Sequence, residues 1–174
     1  MDTEKKSSSK ISLHYGIILG VVSVLISVVV YALGMQYDQD WKMGSIGIIA
    51  MIAVIFIGIK KFKEFNDGYL TVGQALKTGI GIALIGGIIS VIYSYIFMTF
   101  IEPDFMVNTM AKAQETMIEK YPQLSDEQIE AQIEMMNKFS GPAITSAFTL
   151  IGSLFFGFII ALISGFILKN DPNK

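Results

Sequence analysis

Hydrophobic positions in this chain come in four long runs separated by polar stretches. Ile11 to Leu33 has 23 residues without a formal charge, enough to cross about 30 Å of hydrocarbon at about 1.5 Å per residue. Met43 to Ile59 is shorter, at 17 residues, and is flanked by Trp41 on one side and lysines on the other. Gly79 to Ile101 ends at Glu102-Pro103-Asp104, where a missing backbone donor and two charges stop an apolar helix. Ala143 to Leu168 follows Gly141-Pro142. The first run also resembles a signal peptide, with Lys5 to Lys10 ahead of it and Ala32-Leu33-Gly34 behind it. Its length and the three apolar runs that follow favour a span.

The polar stretches carry their own patterns. Met1 to Lys10 reads as a flexible tail. Met35 to Lys42, with Tyr37, Asp38, Asp40 and Trp41, suits a membrane interface. The segment 60–78 opens with Lys60, Lys61 and Lys63, turns at Asn66-Asp67-Gly68, and has apolar residues at helical spacing from Leu70 to Leu76, predicting a piece that lies in the interface before the third span. Residues 104–141 predict an amphipathic helical hairpin. Met106, Met110, Ala113, Met117 and Tyr121 share one face, Tyr121-Pro122 interrupts, Ser125 and Gln128 form a capping box, and Ile129, Ile133, Met136 and Phe139 line the second helix. The expected fold class is therefore all-α: one integral membrane domain over 1–174, a four-helix bundle with spans about 11–33, 43–59, 79–101 and 143–168, and an extracytoplasmic hairpin between spans three and four.

Composition agrees. Mean hydropathy is +0.56 and 52% of residues are hydrophobic, more than a water-soluble domain carries. The lipid bilayer is the first partner implied. There are thirteen lysines, no arginine and no cysteine, which removes the bidentate phosphate reader, disulfides and thiol metal sites; nucleic-acid binding is excluded from the expectations. With four spans, nine lysines fall on the side of the termini and four on the other, so the positive-inside rule puts both termini in the cytoplasm. The stretch from Glu102 to Gly141 holds eight acids against three lysines and is the most partner-like surface.

Helices in lipid associate through close backbone approach at small residues. Gly16 and Gly20 form a GxxxG pair; Gly79, Ala83 and Gly87 repeat the spacing; and Thr149, Ser153, Gly157, Ala161 and Gly165 extend it along the fourth span. These predict packing seams within the bundle, with homo-oligomerisation as the other use. Asp67, Gly68, Tyr69 and Lys77 are candidate contacts in the cytoplasmic turn, although turn formation and snorkelling account for Asp67 and Lys77. His14, the sole histidine, reads as an interface residue, and Glu102 with Asp104 as a span terminator. The spans carry hydroxyls but no acid, amide or lysine near a centre, which argues against ion-coupled transport. No catalytic, cofactor or metal-ligand set is visible.

The stretch FNDGYLTVGQALKTG, the glycine-rich third span, IEPDF, SDEQIEAQIEMMNKF and a last span with a short tail together resemble the bacterial membrane protein family called domain of unknown function 4199. That resemblance implies a four-helix integral membrane protein of bacterial origin with no established activity and no catalytic residues to carry over; the expected location is the bacterial cytoplasmic (inner) membrane. The expected function is a non-enzymatic scaffold or interaction protein, with an oligomeric small-molecule or lipid permease as the alternative.

Overall fold

The computed structural model describes residues 2–37 and 41–170; Asp38 and Asp40 of the expected interface loop lie outside the described residues. Six helices follow in order: α1 (Asp2–Ala32), α2 (Trp41–Phe65), α3 (Val72–Ile96), continued by a π-helical turn (Phe97–Ile101), α4 (Phe105–Lys120), α5 (Asp126–Lys138) and α6 (Pro142–Leu168). Stretches of 25, 22, 30 and 27 residues in α1, α2, α3 with its π turn, and α6 are long and apolar enough to cross a membrane. Uncovered apolar side chains such as Leu25, Ile49, Ile151 and Ile167 stud these helices. In water that surface would drive aggregation; in hydrocarbon it is solvated.

Local chemistry sets the ends. Gly34, at φ +69°, closes α1 in a Schellman arrangement: its amide donates to the Tyr31 carbonyl and the Met35 amide to that of Val30. The Ala32-Leu33-Gly34 run is thus a helix stop. At the other terminus α1 is helical from Asp2, so the residues expected as a flexible tail extend the first helix. The lysine-rich segment likewise continues α2 to Phe65, where Asp67 at φ +54° and Gly68 at φ +83° turn the chain and the Gly68 amide reaches the Lys63 carbonyl. Thr71 then caps α3 by accepting from the Gln74 amide, while Gln74 Oε1 accepts from the Thr71 amide. The connection expected over 60–78 therefore narrows to residues 66–71. The piece expected to lie in the interface is the first turns of α3.

α3 is the central helix, packed on by α1, α2 and α6, whereas α1 and α6 do not pack along one another. Ser12 meets Gly81, Gly16 meets Ile85 and Gly20 meets Ile89, a constant separation that makes α1 and α3 parallel. Along α6 the pairs run the other way: Gly165 with Ala75, Ala161 with Gly79, Gly157 with Ala83 and Ser153 with Gly87. α6 is antiparallel to α3. The helices' termini and the 66–71 turn thus share one end, here the terminal end. The α4–α5 hairpin stands at the other.

Packing is uneven along the bundle. Ile11, Leu19, Ile55, Ile59, Phe62, Leu70, Ile82 and Ile160 form a closed core in the terminal half. Toward the hairpin end, past Gly20, Gly87, and before Met51 and Gly157, Phe97 is the sole buried residue of the membrane helices among those described. The bundle is tight at one end and looser at the other.

Candidate functional site

The small residues picked out from spacing lie at helix–helix contacts. A Cβ added at Gly16 would come within 2.6 Å of Ile85 Cβ, and one at Gly20 within 2.6 Å of Ile89 Cβ. One added at Gly79 would collide with Ala161, at Gly157 with Ala83, at Gly87 with Ser153 Oγ at 2.9 Å, and at Gly165 with Ala75 at 2.9 Å. Hydroxyls reinforce the approach. Ser153 Oγ donates to the Ala83 carbonyl at 2.8 Å, Ser12 Oγ donates to the Thr78 carbonyl at 3.1 Å, and Ser8 Oγ pairs with Thr78 Oγ1 at 3.1 Å. Ser8 and Thr78 lie just outside the expected spans, and Ser12, inside the first, is not part of the GxxxG pair. The four-residue spacing that flagged Gly16 and Gly20 continues backwards through Ser12 and Ser8.

The turn residues do not converge on a pocket. Asp67 and Lys77 are exposed, and Tyr69 is 42% exposed. Gly68 serves the fold, since its carbonyl accepts from Asn170 Nδ2 at 2.9 Å while Leu70 and Asn170 exchange two backbone hydrogen bonds, each 2.9 Å. The chain beyond α6 is thereby pinned to the turn between α2 and α3. His14 is exposed, edge-on to the Tyr15 ring at 5.3 Å.

At the hairpin end an aromatic hub joins three segments that are remote in sequence. Tyr31 and Phe105 each meet Phe97 edge to face, at 5.2 and 5.4 Å, and Tyr93 stacks on it at 6.0 Å. Tyr37 stacks on Phe105 at 5.8 Å; its hydroxyl donates to Glu102 Oε1 and accepts from Asn108 Nδ2 at 3.0 Å. Glu102, read from sequence as a span terminator, is also the acceptor at the centre of this hub. Its second oxygen, Oε2, and Gln36 Oε1 are buried without a hydrogen-bond partner. The π-helical turn sits here too, its widened ring closed by the Glu102 amide donating to the Phe97 carbonyl at 2.8 Å. Such turns recur where helices carry function.

Beneath the hub lies a cavity of about 390 Å³ between α1, α3 and α6. Ser23, Ser27, Ser90, Ser94 and Thr149 give it hydroxyls, joined by Tyr31, Tyr93 and Gln36; Val24, Val30, Phe97 and Met98 are among its apolar walls. Ser90 and Thr149 donate to their own helix, to the carbonyls of Gly86 and Thr145. Among the described residues no charged side chain lines it, and its polar groups are hydroxyls and the Gln36 amide. The hydroxyls were legible in the sequence, but not their convergence. The same end of α1 borders a wholly apolar groove of about 320 Å³ against α2, lined by Val22, Leu25, Val29, Leu33 and Ile46; Ile26 and Val30 line both spaces.

The α4–α5 hairpin closes on itself through buried Ala113 and Ile129, with Met106, Met110, Met117, Ile133 and Met136 partly covered. Tyr121 and Phe139, at the ends of the expected apolar faces, are exposed. Among the described residues no three or more His, Cys, Asp or Glu side chains gather as a metal site.

All-helical architecture, four membrane-length helices and small-residue seams define a multi-pass membrane protein. The chain belongs to the family described as Protein of unknown function (DUF4199), which it matches over residues 14–170. No curated protein and no solved structure matches it.

Proposed function

We propose that this chain is a non-enzymatic interaction protein of the bacterial cytoplasmic membrane, with its termini inside and the α4–α5 hairpin presented outside to a protein partner. The hairpin carries the reading. Neither of its helices packs along a membrane helix; it is tied to the bundle at its base through Tyr37, Phe105 and Asn108. Val107, Ile118, Tyr121, Met135 and Phe139 remain 50–68% exposed, set among an excess of acids. An uncovered face that mixes large apolar side chains with charge suits a protein interface. Lysines concentrated at the terminal end support the orientation. The seams through Gly16, Gly20, Gly79, Gly87, Gly157 and Gly165 are occupied within the chain, so a second copy would have to use a surface other than these.

The chain lacks cysteine, which makes single introduced cysteines clean reporters. In intact cells a membrane-impermeant maleimide should label Gln123→Cys and leave Lys61→Cys untouched; the opposite pattern overturns the orientation. A photo-reactive residue at Val107, Ile118 or Met135 in native membranes should give a discrete adduct with another protein. Adducts with lipid alone, or with this chain alone, would refute the docking role. The alternative, an oligomeric small-molecule or lipid permease, draws on the hydroxyl-lined cavity, and specific solute flux in proteoliposomes would establish it.

A further inference from the structure

We infer that the cavity under the aromatic hub is a binding site for a neutral, hydroxyl-headed membrane amphiphile, its head among Ser27, Ser94 and Gln36 and its chain in the apolar groove across α1. A volume of about 390 Å³ lies within the range of small-molecule sites and is about thirteen times the roughly 30 Å³ share of one water. Ser23, Ser27, Ser94 and the Gln36 amide make no side-chain hydrogen bond among the described residues, and Gln36 Oε1 is buried. A hydroxyl supplies both the donor that Gln36 Oε1 lacks and an acceptor for the serines.

Two features select an uncharged head. Among the described residues no lysine, acid or histidine lines the cavity, so an ion there would meet no counter-charge from them in an environment where burying one costs several kcal/mol. The nearby acid, Glu102, is not among the lining residues, and one of its two oxygens accepts from Tyr37. The groove selects an amphiphile over a soluble polyol: it shares Ile26 and Val30 with the cavity and offers about 320 Å³ of purely apolar lining, which suits an acyl or alkyl chain.

The experiment uses the full chain in phosphatidylcholine nanodiscs with a diazirine-bearing long-chain alcohol as probe. Saturable labelling should map to peptides holding Ser27 or Ser94 and be displaced by hexadecanol. Palmitate, with the same chain and a charged head, should displace about tenfold less well, and glycerol not at all. The double variant Ser27→Ala/Ser94→Ala preserves the space, and its fold is checked by unchanged thermal unfolding; its labelling should weaken about tenfold. Ser94→Leu should abolish labelling by filling the cavity. Unsaturable labelling spread over the lipid-facing helix surfaces overturns the site. Equal displacement by palmitate overturns the neutral head, and displacement by glycerol overturns the amphiphile. Each reading concerns the bundle, so it stands or falls separately from partner docking at the hairpin.

Discussion

Adding a single methyl at the α3–α6 seam tests the packing most directly. In Gly157→Ala the new Cβ would sit in collision with Ala83 Cβ, where carbon atoms prefer about 3.5–4.0 Å. Ala83 is fully buried and its Cα also lies 3.8 Å from that position, so the strain cannot be relieved by rotating a flexible side chain. The helices must separate by about 1 Å, which would also loosen the neighbouring Gly79–Ala161 and Gly87–Ser153 contacts and stretch the Ser153-to-Ala83 bond. Overpacking of this kind costs about 1–3 kcal/mol. The reciprocal variant Ala83→Gly/Gly157→Ala moves the methyl to the opposite helix and should recover most of the loss. Unfolding of purified protein in mixed micelles, followed by circular dichroism, measures both. If Gly157→Ala is neutral, or the double variant is no better than the sum of its parts, the pairing is wrong. A change in oligomeric mass with unaltered unfolding would place the seam between copies instead.

Two further outcomes follow from the ends of the bundle. Gly68→Ala forces a side chain onto φ +83° and should cost about 1 kcal/mol, faster hydrogen exchange at the Leu70 amide being the readout; Asp67→Gly, at φ +54°, should not speed that exchange. Tyr37→Phe removes the donor to Glu102 and the acceptor for Asn108, leaving a carboxylate whose other oxygen already lacks a partner. That should cost about 1–3 kcal/mol and accelerate exchange over Phe105 to Thr109; unchanged exchange there would show that the hub does not anchor the hairpin.

Much of the architecture was readable because lipid imposes length and composition on whatever crosses it. Four apolar runs, the Pro103 break and the Ser125–Gln128 box each correspond to an element or its end. Helix starts and stops near lysine were harder. Long aliphatic stems let Lys60, Lys61 and Lys63 continue a helix beyond the hydrocarbon, and the operative stop was the Asn66-Asp67-Gly68 turn. The Thr71–Gln74 cap has the same chemistry as the Ser125 box and was available on the same grounds. Spacing identified the small faces but not their mates, because periodicity belongs to one helix while a seam needs the register of two. The hub was out of reach for that reason: apart from the Tyr93–Phe97 pair on one helix, Tyr31, Gln36, Tyr37, Phe105 and Asn108 share no pattern that links them, and meet only when α1, α3 and α4 are assembled.

The central position of α3 also sets the order in which the molecule can be built. During synthesis α1 enters the bilayer with the face Ser8, Ser12, Gly16 and Gly20 bare, and its mates at Thr78 to Ile89 emerge only after α2 has crossed back. α6 waits longer, because the α4–α5 hairpin precedes it in the chain. Until then the seam of α3 that α6 will cover, Ala75 to Gly87, faces lipid. α6 closes onto that seam last in chain order, and the paired backbone bonds between Asn170 and Leu70 are a latch that needs the end of α6 seated beside the start of α3.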